Sequence, residues 1–314
     1  MKKYNVSFSF LLIILFLPFN ADANIKHPLV ETWMSGKYFN LKNKHVEYLE
    51  VFEKEEKKYN KIDYIFQLGQ EASHHLDSQV LDFCYTELKK FFNDKEYGDL
   101  STILYDALQI NDIRFTKKSR LKIIESYNFV KPFSLTNEQR VIFFQNIIDL
   151  YLEDQNFREA ERYLFLNAAL TAKDPNFDID LLLGHLSRSL LLNTIFGRTT
   201  NLKEIDASIW KLLGQNRNFI GKAANYTSLS HIANTYLSLD KKKELNKILL
   251  LIQDYRDNEI DVPLKSEIAL LFTENLFNAS KGITTNPKSV LKIINDKSNK
   301  PYNIKQLETF VISI

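Results

Sequence analysis

Residues 147–172 read IIDLYLEDQNFREAERYLFLNAALTA. A stretch carrying Ile147, Ile148 and Tyr151 at helical spacing runs into the polar turn 153–156. A second stretch then places Phe157, Ala160, Leu164 and Ala168 on one face. Apolar residues recurring every three to four positions on both sides of a short break predict a helical hairpin. One such hairpin leaves an apolar face uncovered, so it has to stack on similar units.

The rest of the chain supports that reading. One run of helical periodicity follows another: 44–58, 61–75, 78–92, 96–110, 117–130, 136–153, 157–173, 178–196, 202–213, 222–238, 241–255, 262–278, 288–296 and 303–314. Thr136 with Gln139 has the form of a capping box opening the run at 136. The chain contains only 8 Gly and 7 Pro, too few to punctuate many β-turns. Segments of alternating polarity, which would predict strands, are missing. The expected class is all-α, one continuous α-solenoid over residues 24–314; a compact bundle is the alternative architecture.

The first 23 residues read as an export signal. Lys2 and Lys3 give a positive start, Phe8 to Leu17 is apolar except for Ser9, and Ala21-Asp22-Ala23 offers small residues for cleavage before Asn24. An uncleaved anchor is the alternative, although the run is short of the roughly 20 apolar residues that a spanning helix needs. No later segment is apolar enough to span. The expected location is the periplasm or the exterior.

Composition excludes several classes. At 45% apolar and 25% charged the chain is ordinarily globular. Its formal net charge of +2 falls to +1 without Lys2, Lys3 and Asp22, so no overall field drives it onto nucleic acid or anionic lipid. Thirty-two of the 41 basic residues are lysines, a bias that AT-rich coding produces without selection for a partner. Cys84 is the only cysteine. It lies in line with Val80, Leu88 and Phe91, and reads as core packing rather than a reactive thiol.

In its aromatic and small-residue spacing the hairpin at 147–172 resembles the tetratricopeptide repeat: Tyr151 late in the first helix, Phe157 opening the second, then Ala160 and Leu164. Leu229, Ile232, Ala233 and Tyr236, followed by Leu245 and Leu249, match again. Tyr97, Leu100, Leu104 and Ala107 match in part, and Leu68-Gly69 imitates the leucine–glycine pair of the family's first helix. The resemblance spans roughly residues 60–255, with helices about 17 residues apart and hairpins about 34. Pro175 is displaced from the family's position, the run 178–196 is long and continuously apolar, and 197–221 falls out of period. A generic α-solenoid is the wider class.

Little in the chain carries chemistry. His74 and His75 are adjacent and point about 100° apart on a helix, and Glu71 with His75 makes only a pair, short of the three or four ligands a metal needs. Asp174, Asn176, Asp178 and Asp180 alternate like a calcium loop, but Ile179 and His185 stand where glycine and glutamate are required. Trp33 and Trp210 read as packing anchors. The expectation is therefore no catalytic residue, no metal and no cofactor.

The resemblance implies a non-catalytic scaffold that binds a protein or peptide along the first helices of its hairpins. On that face the polar positions are Asn146, Asp149, Asn225, Ser228 and Asn234. A second expectation is a ligand-sensing ectodomain, possibly truncated, of a bacterial receptor with diguanylate cyclase or histidine kinase output, since the chain ends within the apolar stripe 310–314. A third, a helical cell-envelope enzyme, would need a catalytic acid that the sequence does not display.

Overall fold

The computed structural model describes residues 38–54, 58–127, 135–171, 179–215, 223–257 and 264–283. The expected signal segment 1–23, Trp33, the Asp-rich segment 172–178 and the runs at 288–296 and 303–314 lie outside the described residues. Among those described, twelve helices and no strand occur: α1 (Tyr38–Lys54), α2 (Lys58–His74), α3 (Ser78–Lys89), α4 (Gly98–Asn111), α5 (Lys117–Tyr127), α6 (Asn137–Glu153), α7 (Phe157–Thr171), α8 (Ile179–Ile195), α9 (Thr199–Gln215), α10 (Ala223–Ser238), α11 (Lys242–Asp257) and α12 (Leu264–Ser280).

Several helices are bounded by local chemistry that the sequence announces. Thr136 caps α6: its hydroxyl accepts from the Gln139 amide at 3.2 Å, and the Gln139 side chain accepts from the Thr136 amide at 3.1 Å. Asp77 caps α3 through the Val80 amide. The helices α2, α6, α8, α10 and α12 all stop in the same way. A residue with positive φ follows each: Leu76, Gln155, Gly197, Asp240 and Gly282. The next amide then reaches back five residues, as from Asp77 to Ala72, Asn156 to Tyr151, Arg198 to Asn193, Lys241 to Tyr236 and Ile283 to Asn278, at 2.8–3.0 Å. This six-to-one closure satisfies carbonyls that a helix end otherwise leaves open. Three-residue links of this kind return the chain antiparallel. The end of α4 differs: Asp112 is extended, and its carboxylate takes the Arg114 amide and guanidinium.

These stops measure the repeat. From Gln155 to Gly197 is 42 residues, from Gly197 to Asp240 is 43, and from Asp240 to Gly282 is 42. From Leu76 to Gln155, across two hairpins, is 79. The expected spacing of 34 is not met, because six or seven residues separate α7 from α8, α9 from α10 and α11 from α12. The departure from that period at 178–196 and 197–221 is shared by the neighbouring hairpins, and α8 and α9 have 17 residues each, as α6 does.

Packing sorts the helices into two sets. Neighbours in sequence pack together from α1 to α9, and again α10 with α11. Beyond that, α2 packs on α4, α4 on α6, α6 on α8, α8 on α10 and α10 on α12, while the odd-numbered helices flank this row. Both α10 and α12 also approach α2, so helices about 150 residues or more apart in sequence meet across the even row.

Among the described residues the apolar interior forms two clusters. One runs from Tyr38 to Leu164 and takes in Leu192; the other runs from Leu182 to Phe277. Within the first, a β-carbon at Gly69 would come within 2.6 Å of Leu108 Cδ1, so a glycine lets α2 and α4 approach closely. Ala160, Ala233 and Tyr236 are fully buried. Cys84 is buried too, and burial pushes its thiol far up.

Candidate functional site

Most of the buried polar side chains among the described residues lie on the even row, and several of them gather around α8, between α6 and α10. Helical spacing puts them there: Gln145 and Asp149 are four apart on α6, His185 and Ser189 four apart on α8, and Ser228 and His231 three apart on α10.

The centre is an ion pair between Arg188 and Asp149. The guanidinium donates from Nε to Asp149 Oδ1 at 2.7 Å and from Nη2 to Oδ2, while Nη1 donates to the Gly184 carbonyl at 2.9 Å. The Arg188 side chain is only 5% exposed, against 29% for Asp149. A buried guanidinium requires such a partner. A β-carbon at Gly184 would come within 2.9 Å of Gln145 Nε2 and 3.2 Å of Arg188 Nη1. Glycine here therefore lets Gln145 cross to the Leu181 carbonyl, to which it donates at 3.0 Å.

Two histidines flank the pair. His185 is buried, with Nε2 3.4 Å from Ser189 Oγ, and its Nδ1 has no hydrogen-bond partner among the described residues. Burial pushes its pKa down to about 4, and Arg188 adds to the drop. His231 is also lowered, by burial first; Asp149 pulls it upward and Arg188 downward. Both are neutral at pH 7. A catalytic imidazole of the serine type is oriented by a carboxylate on its other nitrogen, and among the described residues none bonds His185 Nδ1.

A second polar knot joins α2 to α4 and α6. Gln70 Oε1 accepts from Asn146 Nδ2 at 3.2 Å and from Asn111 Nδ2 at 3.4 Å. Asp63 accepts from Gln139 at 2.7 Å and from Gln67 at 2.6 Å; burial raises its pKa against those two bonds.

The five positions expected on the binding face fall as follows. Asn146 is buried and spends its amide on Gln70. Asp149 holds Arg188. Ser228 is buried, and Asn234 accepts from the Thr273 hydroxyl of α12. The side chain of Asn225 lies outside the described residues, although its backbone is in α10. Asn146 and Asp149 share one face of α6 but serve different neighbours. Gln70, Gln145, His185, Arg188 and His231 were not anticipated. A signal for two of them existed: His185 and Arg188 interrupt the apolar run LLLGHLSRSLLL, and a charge inside such a helix has to be paired.

Elsewhere, Trp210 lies parallel to Tyr236 with centroids 6.4 Å apart, and Lys247 Nζ sits 5.3 Å over the indole, as an anchor packed on the second cluster. His75 stacks on Tyr38 at 4.3 Å. No group of three His, Cys, Asp or Glu side chains among the described residues is arranged to hold a metal, and no helix among them is long and apolar enough to cross a membrane. Compared with family models, with curated proteins and with solved structures, the chain shows no significant match.

Proposed function

We propose that the chain is an exported, non-catalytic α-solenoid that serves as a scaffold for a protein or peptide partner, tetratricopeptide-like in its layering but built on a repeat of about 42 residues. The observation that carries this reading is the even row. Five helices that end in the same turn lie side by side with α4, and their flanking partners never take that place. The half-buried polar residues of the row, Asp149, His231 and Asn234, supply hydrogen-bonding positions beside their internal bonds, and stacked hairpins supply an extended surface. Export rests on the pattern of residues 1–23, and N-terminal sequencing of the secreted chain would read Asn24 first.

Photo-crosslinking tests the scaffold. A crosslinker at Asn234 on the even row is compared with one at Lys118 on α5, in envelope extract. A partner captured from the even row and not from α5 is expected. Equal capture from both positions would refute the reading.

A second reading, a ligand-sensing ectodomain, is favoured by one feature: α2 meets α10 and α12 across the row. A closed row suits a small polar ligand held between helices better than a long peptide. Thermal-shift screening of small polar metabolites separates the two.

A further inference from the structure

The division of the apolar interior has a mechanical consequence. The first cluster belongs to α1–α7 and the second to α8–α12, and the two meet where α8 lies against α6 and α7. Polar contacts cross that boundary: Arg188 to Asp149, Gln145 to the Leu181 carbonyl, and Arg198 to Glu161 at the rim. The apolar exception is the C-terminal end of α8 and the turn after it, where Leu192 and Phe196 pack into the first cluster. The other place where the halves touch is α2 against α10 and α12. These helices carry the buried polar residues Gln70, Ser73, Ser228, Ser230, Ser266 and Glu267. Polar contacts exchanged for water cost far less than an apolar core pulled apart.

The boundary also contains its own trigger. His185 and His231 lie beside Arg188. His185 finds one weak hydroxyl contact and leaves Nδ1 unmatched. A protonated imidazole needs two acceptors, and among the described residues Ser189 is the one hydrogen-bond contact of the His185 ring. The charges acting on His185 come from Arg188, and those on His231 from Asp149 of α6 and Arg188 of α8. Of the other helices packed against α10, α2 carries Lys58, Lys61, Asp63, Glu71, His74 and His75, α11 carries Lys242, Lys243, Glu244 and Lys247, and α12 carries Glu267 and Glu274. Glu161 of α7 is taken by Arg198, and Asp206 of α9 by Tyr236 and Lys241.

We propose that this boundary is an acid-opened joint: when His185 and His231 take up protons, the α1–α7 half and the α8–α12 half part along α6/α8 and α2/α10/α12, pivoting on Leu192 and Phe196. Each half keeps its own apolar cluster, so the motion is a rigid-body hinge. Opening uncovers the polar side of the even row. The joint is independent of what the row binds.

Distances between spin labels test it on the full chain. Labels replace Glu50 and Lys243, exposed residues of opposite halves, or Glu50 and Lys118, exposed residues of the same half. Between pH 7.5 and pH 4, the 50–243 distance is expected to lengthen while the 50–118 distance stays fixed. The double variant His185→Gln/His231→Gln is expected to hold both distances at pH 4. An unchanged 50–243 distance, a broadening of both distances together, or opening of the double variant as in the native chain would each overturn the joint. Should the double variant not fold, the imidazole titrations of the native chain decide: the opening midpoint has to coincide with protonation of these two rings, and a midpoint elsewhere overturns the proposal.

Discussion

Arg188 and Asp149 meet through two nitrogens and two oxygens across α8 and α6, and the two partners are unequally buried. Removing either one therefore has a different cost. Asp149→Ala strands a guanidinium that is only 5% exposed, at a cost of about 3 kcal/mol, the low end for a broken buried pair because water reaches Asp149. Arg188→Leu strands a carboxylate that is 29% exposed and can turn to solvent, so its cost is smaller. The double variant Arg188→Leu/Asp149→Leu is expected to lie closer to the native chain than Asp149→Ala does. Urea midpoints of the four proteins check the order; a larger loss for Arg188→Leu than for Asp149→Ala would contradict it.

Tyr127 donates to Asp106 at 2.5 Å and packs edge-on against Phe143. Burial raises the Asp106 pKa, and the tyrosine bond opposes the rise. A carboxyl whose folded pKa is raised binds a proton more readily in the native state. It therefore costs stability as pH climbs from the unfolded value of 3.8 through the folded one. Tyr127→Phe keeps the ring and removes the donor, which raises that pKa further. The expected loss is about 1–2 kcal/mol at pH 7, and a smaller loss at pH 3, where the carboxyl is protonated in both states. Denaturation of both proteins at the two pH values measures this; an equal or larger loss at pH 3 would be inconsistent with it.

Cys84 is fully buried among Gly69, Leu81 and Leu88, and its thiol is held well above the ordinary range by burial. A thiolate is the reactive form, so the native chain is expected to resist thiol-specific reagents. Labelling then follows unfolding of the first cluster. A rate of labelling that is independent of urea would show that the thiol is reached without unfolding.

Element positions were legible in the sequence where packing and local chemistry agree. Thr136 and Gln139 announce α6, and Ala160, Ala233 and Tyr236 are buried as their spacing requires. The repeat length was not legible, since a helical pattern counts apolar faces and not the residues that join them. From Gln155 onward the stops recur every 42 or 43 residues, a length that no apolar face records. The site was half legible. Asp149 was visible as a polar position on α6, but its partner lies 39 residues away on α8, and no local spacing connects them. His231 enters through a third helix. A convergence of this kind is set by how hairpins stack, which periodicity does not encode.

The shared stop of the even helices gives the most direct test of the repeat. Gly197 and Gln155 occupy the same left-handed position, at φ 65° and 57°. A side chain there costs roughly 1–2 kcal/mol against glycine. Nothing lies within 4 Å of a β-carbon built on Gly197, so Gly197→Ala reads backbone strain alone and is expected to destabilise by about 1 kcal/mol. Gln155 is exposed, and Gln155→Gly is expected to stabilise, by somewhat less, because glycine also frees the unfolded chain. Leu76 holds the equivalent position but is buried, so Leu76→Gly loses packing that outweighs the relief and is expected to destabilise. Urea midpoints should therefore move down, up and down across these three substitutions. A fall for Gln155→Gly would mean that the left-handed turn is not populated there, and the 42-residue register would lose its anchor.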